Sequence, residues 1–218
     1  MHADAPSDGR AARWQQHRLD RRAEFVDAAL RALARYGPDV SMADIAAEAG
    51  AAKPKLYRHF ADKADLLDAV GARIAAILWE RLSVAVDPHA PVKDLITGGL
   101  HAFLGLVDEY PDAFVLLFNS GPALTEGRRI AGALGALFAD VLRTLDLDTD
   151  TAEPGGAILA GALGAATLWW LESGRAMPKH TLIDYLATVV WAATDAILRK
   201  AGVTIDPDRP IDMRRTHG

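Results

Sequence analysis

The sequence predicts an all-α protein of nine helices, and three observations carry that expectation. Apolar residues recur three and four positions apart in segment after segment, with no competing two-residue alternation. Alanine, the strongest helix former, is present throughout. Gly and Pro fall mostly at the breaks between periodic segments.

The first helix is expected over 20–36. There Phe25, Val26, Ala29, Leu30, Leu33 and Tyr36 form one stripe, Glu24, Asp27, Arg31 and Arg35 lie opposite, and Gly37-Pro38 ends the pattern. Ser41, with Asp44 three residues on, suits the start of a second helix over Met42, Ile45, Ala46 and Ala49, which Gly50 stops. A third short helix follows from Lys53 to Phe60, since Pro54 fits a first turn and Leu56 with Phe60 makes an i,i+4 apolar pair. Residues 63–86 carry Leu66, Leu67, Val70, Ile74, Ile77, Leu78 and Leu82 at helical spacing, until Asp87-Pro88-His89-Ala90-Pro91 interrupts them.

Beyond that break, 92–109, 111–119 and 123–145 read as three more helices. The last two span 154–173, apolar almost all round, and 179–201, with Leu182, Leu186, Val189, Val190, Ala193 and Ile197 in its stripe. A helix apolar all round must be covered on every side. Its small residues Ala157, Gly161 and Ala165 permit close approach by another helix, either a second copy of the chain or a neighbour in the same chain. Residues 1–18 read as a flexible basic arm and 203–218 as a loose tail. Between them lie 19–62, an N-terminal helical domain, and 63–202, a larger helical domain.

Composition narrows the function. With 218 residues, 50% hydrophobic and 24% charged, and a mean hydropathy of +0.06, the chain fits a soluble globular protein. Absence of cysteine removes disulfides, thiolate metal sites and cysteine nucleophiles. No signal-peptide core follows the N-terminal arginines, so the expected location is the cytoplasm. The longest uncharged apolar run, Gly155 to Leu171, is 17 residues, short of the roughly 20 a membrane span requires, so no membrane partner is expected. The net charge of −5 hides an asymmetry: residues 1–63 carry 11 Lys/Arg against 9 Asp/Glu, the remainder 13 against 20. Lys53, Lys55, Arg58 and Lys63 cluster around His59 with Asp62 as the one acid. A polyanion would be met there.

The second and third helices, joined by a Gly-bearing turn, have the form of a helix-turn-helix. If Leu56 and Phe60 face inward, Pro54, Lys55 and Arg58 face outward, with Tyr57 and His59 on the flanks. That face is either what a DNA major groove meets or an ordinary solvated helix surface. In the first case Lys55 and Arg58 suit guanine edges or phosphates, and Tyr57, His59 and Lys63 suit backbone oxygens.

The stretch Ser41-Met42-Ala43-Asp44-Ile45-Ala46-Ala47-Glu48-Ala49-Gly50, then Leu56-Tyr57-Arg58-His59-Phe60 and Lys63-Ala64-Asp65-Leu66-Leu67, resembles the N-terminal domain of the TetR family of bacterial transcriptional repressors. The resemblance covers roughly residues 20–70, and the nine-helix layout agrees with the family's. It implies a homodimer, joined through the last two helices, that binds a palindromic double-stranded DNA operator and releases it when a small molecule enters the C-terminal domain. It also implies operator contacts at Ser41, Met42, Lys53, Pro54, Lys55, Tyr57, His59 and Lys63. The chain departs from the family pattern before Leu56: Ala52 and Pro54 stand where many members carry Ser and Gly, removing a helix cap and blocking the closest backbone approach. Arg13, Arg18, Arg21 and Arg22 offer phosphate or minor-groove contacts from the arm, unless that arm is simply disordered.

For the effector, Leu78, Trp79, Leu82, Leu100, Phe103, Leu104, Phe114, Leu117, Phe118, Leu137, Phe138, Trp169 and Trp170 provide an apolar lining, with His101, Asn119 and Thr167 as polar groups. Such a lining suits a largely apolar guest, either an aromatic molecule or a lipid-like one such as a fatty acid or its thioester, though the same residue types also fill cores. No cofactor is expected. No H-E-x-x-H, P-loop or G-x-S-x-G occurs. Asp146-Leu147-Asp148-Thr149-Asp150 begins like a calcium loop but lacks its Gly and closing Glu, so no metal site is expected. A helical enzyme acting on an apolar molecule, or an adaptor without DNA binding, stands as the alternative to a regulator.

Overall fold

The structure, a computed structural model, describes residues 8–85, 87, 90–119, 136, 139, 142–143, 148–150 and 152–210. These contain eight helices and no strand: α1 (Asp8–Tyr36), α2 (Met42–Glu48), α3 (Lys53–Leu56), α4 (Lys63–Ala85), α5 (Val92–Glu109), α6 (Pro111–Asn119), α7 (Ala152–Glu172) and α8 (Lys179–Lys200). The helix expected over 123–145 lies mostly outside the described residues.

Two compact units divide the chain within α4, Met1–Arg73 and Ile74–Gly218. The boundary expected before residue 63 thus falls a few turns later, because Leu66, Leu67 and Val70 are buried in the first unit. That unit is built around Phe25, Leu33, Ile45, Leu56, Phe60 and Leu66, each at most 2% exposed. Helix α1 ends on Gly37 at φ 77, whose amide donates to the Leu33 carbonyl. It begins at Asp8 rather than near residue 20, so the expected arm is helical backbone from there onward. Periodicity missed this extension because residues 13–20 are exposed all round and carry no apolar stripe; continuity with the packed part of α1 removes the cost of nucleating them.

Helix α2 opens on a capping box. The Ser41 hydroxyl accepts from the Asp44 amide at 3.2 Å, and the Asp44 carboxylate accepts from the Ser41 amide at 2.9 Å. It closes on Gly50 at φ 60: Ala51 donates to the Ala46 carbonyl and Gly50 to that of Ala47, the paired bonds of a Schellman motif. No atom lies within 4 Å of a Cβ built at Gly50, so its left-handed backbone, and not crowding, is what requires glycine. Helix α3 is shorter than the expected 53–60. After Leu56 the turn tightens, with Arg58 donating to Lys55 and His59 to Leu56 in i→i−3 bonds.

In the second unit α5 packs along α8 and α6 on α7. The central cluster is Leu100, Leu104, Trp170, Leu182, Ile183 and Leu186. A second cluster, Leu142, Ala152 and Leu198, is covered by Val203 and Ile205. Residues 203–210 are therefore docked, contrary to the expected loose tail: the Pro207 carbonyl accepts from the Lys93 amide at 3.1 Å, and Lys93 pairs with Asp208 at 3.3 Å. The chain is turned back onto α8 by Gly202 at φ 81.

Helix α7 runs 21 residues, so the apolar run expected to fall short of a span belongs to a longer helix. By length and composition both α7 and α8 are apolar enough to cross a membrane. One side of each is buried in the unit; the other exposes Ile158 and Trp169 on α7 and Tyr185 and Val189 on α8.

Candidate nucleic-acid interface

Burial of Leu56 (0% exposed) and Phe60 (1%) fixes the rotation of α3. Lys53, Pro54, Lys55, Tyr57 and Arg58 consequently stand exposed on one continuous surface. The Lys53 ammonium lies 5.8 Å from the Tyr57 ring centroid, which holds that pair together at one edge of the face. With Ala52 as N-cap, no side chain caps α3; Pro54 carries no amide hydrogen, and the Lys55 amide donates to the Ala52 carbonyl at 2.8 Å. Ser41 is exposed at the head of α2, with its hydroxyl turned to Asp44. Those Ser41 hydrogen bonds hold the Asp44 carboxyl below the usual range. Lys63 is half-buried. Met42, expected at the operator, is not brought to this surface: its side chain is 7% exposed and belongs to the core, one turn from Ile45 and Ala46.

His59 is half-buried with its ring 5.3 Å from that of Phe25. Burial lowers its pKa, and the nearby cations Arg18, Arg21, Arg22 and Lys55 lower it further. Arg22, expected in the arm, is instead a rivet inside the unit. It donates to the His59 carbonyl and, at 2.6 Å, to Asp65, while its guanidinium lies 4.1 Å from the Phe60 ring centroid. Asp65 also accepts from the Ala61 amide at 3.0 Å, and the Arg22 hydrogen bond holds its carboxyl below the usual range. One arginine thus ties α1 to the turn after α3 and the start of α4, setting the angle at which the cationic face is presented. A separation of 43 residues between Arg22 and Asp65 left no local signal for it.

The expected effector residues divide into groups. Leu78, Leu100, Leu104 and Trp170 are buried, and the last donates its indole N–H to the Met177 carbonyl at 2.8 Å, a satisfied core tryptophan. Trp79, Leu82 and Leu117 are half-buried. His101 and Trp169 are exposed and do not join an interior lining. Leu137, Phe138 and the side chain of Asn119 lie outside the described residues. Phe103, Phe114 and Phe118 come together, the first pair edge-on at 6.1 Å and the second stacked at 5.9 Å. Phe118 presses on α7 at Gly164, where a Cβ would stand 2.6 Å from its ring. One turn along α7 is Thr167, fully buried with no partner for its hydroxyl. Thr97, Thr188 and Thr194 each donate to the carbonyl four residues back, which makes this unpaired hydroxyl distinctive.

A separate open cleft of about 440 Å³ lies at the α7–α8 corner. Asp108 accepts there from Arg175 at 3.1 Å and Lys179 at 2.6 Å, a cluster the sequence reading did not single out.

A family model for bacterial regulatory proteins of the tetR family matches residues 25–70. An uncharacterized HTH-type transcriptional regulator of Mycobacterium tuberculosis is 32% identical over 203 residues, 90% of this chain and 86% of its own length. The TetR-family transcriptional regulator from Streptomyces coelicolor superposes with a TM-score of 0.66 at 24% identity, over 84% of this chain and 85% of that one. The regulator FadR from Bacillus subtilis, solved in complex with stearoyl-CoA, superposes with a TM-score of 0.62 at 14% identity, over 78% and 98%. The chain belongs to the TetR family of bacterial transcriptional regulators, and α2 with α3 is its DNA-binding helix-turn-helix.

Proposed function

We propose that two copies of this chain, paired through α7 and α8, grip a palindromic operator with their α3 faces and release it when an apolar effector enters the second unit. The observation that carries the reading is the exposed face of Lys53, Lys55 and Arg58, held rigidly by the buried Leu56 and Phe60. Lys55 and Arg58 take the base-reading roles, while Ser41, Lys53, Pro54, Tyr57, His59 and Lys63 lie against backbone and sugar. Pairing is supported by the outward sides of α7 and α8, where Ala157, Gly161 and Ala165 are exposed beside Ile158 and Trp169, and Tyr185 and Val189 are exposed on α8. A second copy covers apolar surface that water otherwise meets.

The effector sits beside Phe103, Phe114 and Phe118, and the buried, unpaired Thr167 hydroxyl meets its polar group once these rings shift to admit it. A long-chain acyl thioester suits this chemistry, and a protein of this fold is known with stearoyl-CoA bound. Helix α4 contributes to both units and is the covalent route between effector and DNA. Couplings of this kind are about 1–3 kcal/mol, or 5- to 150-fold in affinity.

Titrating stearoyl-CoA into a gel-shift with DNA from upstream of the protein's own gene is expected to release the DNA. Thr167→Val should leave DNA affinity intact and raise the concentration needed for release, because it removes only the hydroxyl. Unchanged binding at saturating stearoyl-CoA would count against this effector class.

The pH dependence has a definite sign. Burial and surrounding cations favour neutral His59 in the free protein, and phosphates alongside it oppose that bias. DNA binding then takes up protons, so affinity rises as pH falls from about 7 to 5.5, and His59→Gln flattens the profile.

A further inference from the structure

We propose that the N-terminal part of α1, residues 13–21, is a second DNA-contacting element whose cationic stripe lies along the phosphate backbone flanking the half-site read by α3. The inference rests on the docking of α3 described above and extends it to DNA outside the recognised bases.

Helical register puts Arg13, Trp14, His17, Arg18 and Arg21 within an arc of about 140°. The stretch holds a single acid, Asp20, which borders that arc about 20° beyond Arg13 and accepts from Gln16 at 2.8 Å. Every residue from 13 to 20 is exposed, and Trp14 is 76% exposed. A helical stretch covered by nothing in its own unit, yet bearing cations and an indole on one side, is complementary to a polyanion. A lipid surface fits it poorly, because the stripe contains no aliphatic side chain and Leu19 points the other way.

The end of the stripe is tied through the core to the segment that follows the recognition helix. Arg21 stands 5.9 Å from the Phe25 ring centroid, and that ring lies 5.3 Å from His59 in the turn after α3. The joint action of Arg18, Arg21 and Lys55 on His59 agrees with one uninterrupted field. Arg21 also pairs with Glu24, and Arg13 has interactions of its own within the chain. The proposal does not need these cations to be unpartnered. Exposed ion pairs are weak, and phosphate competes with them readily. Residues 13–21 span about 12 Å of helix, enough to follow several phosphate charges of a duplex.

The test is the salt dependence of operator affinity for wild type, the double variant Arg13→Gln/Arg18→Gln, Trp14→Ala, and Lys55→Gln as a control on α3. The probe is the protected duplex from upstream of the protein's own gene, used at full length and with its flanks trimmed. Because each phosphate contact contributes a slope of about −0.9, loss of two cations per protomer should make the dimer's slope shallower by about 2 to 4. Affinity at about 0.1 M salt should fall roughly 10-fold or more, with operator-to-random discrimination within about twofold of wild type. Trp14→Ala should lose affinity in the same way, and trimming the flanks should erase the difference between wild type and double variant. An unchanged slope in the double variant, with discrimination lost in Lys55→Gln, overturns the proposal and leaves the reading of α3 standing. Unchanged binding in all variants overturns both. All four positions are exposed, and equal thermal midpoints would verify that the fold is intact.

Discussion

Lys55→Ala/Arg58→Ala is expected to reduce operator affinity to the level of random DNA while leaving the fold intact. Both side chains are exposed, so neither contributes a core contact. A bidentate base contact discriminates by about 1–3 kcal/mol, and a dimer presents each residue twice. Losing both residues in both protomers should therefore weaken operator binding by about 1,000-fold or more, toward the non-specific limit. Fluorescence anisotropy on operator and scrambled duplexes measures this, with circular dichroism to show that the helices and thermal midpoint persist. A loss of less than about 10-fold would mean that α3 is not the reading element. The contrast with Phe60→Ala is useful, since that substitution opens a cavity in the first unit and should cost about 3–5 kcal/mol of stability.

Ala165→Arg is expected to have the other large effect. Ala165 is exposed on the side of α7 that also shows Ala157, Gly161 and Trp169, so an arginine there meets solvent in an isolated protomer. In a dimer closed through this face it meets the partner's apolar helix and cannot be desolvated without large cost. Light scattering should report a monomer in place of a dimer. DNA affinity should fall by about 100- to 10,000-fold, because the second head no longer binds as an intramolecular event. A variant that remains dimeric and binds operator normally would place the interface elsewhere.

The helix-turn-helix was legible because its information is local. Ser41 and Asp44 make the cap, Gly50 makes the turn, and the Leu56/Phe60 pair sets which side of α3 faces out. Met42 misled because the first residue of a helix can face either way, and here Ile45 and Ala46 pull that turn inward. The clamp from Arg22 to Asp65 and the helical start at Asp8 were not legible, one because it joins distant segments and the other because no apolar stripe marks it. Val189 shows the limit of periodicity on the last helix. It fits the apolar stripe in the sequence yet is 52% exposed in the protomer, since spacing does not say whether an apolar side is covered by the same chain or by a second one. For the effector residues the ambiguity was between lining and filling. Trp170 and Leu104 proved to be core, whereas the hydroxyl of Thr167 could be recognised as unpaired only once its neighbours were placed.

The most direct measurement is a footprint of the purified protein on the DNA upstream of its own gene, combined with the mass of the bound complex. The account predicts a protected palindrome whose half-sites present successive major grooves about 34 Å apart on one side of the duplex, occupied by whole dimers. Protection that is absent at low salt, or that covers a single half-site bound by one protomer, would contradict it.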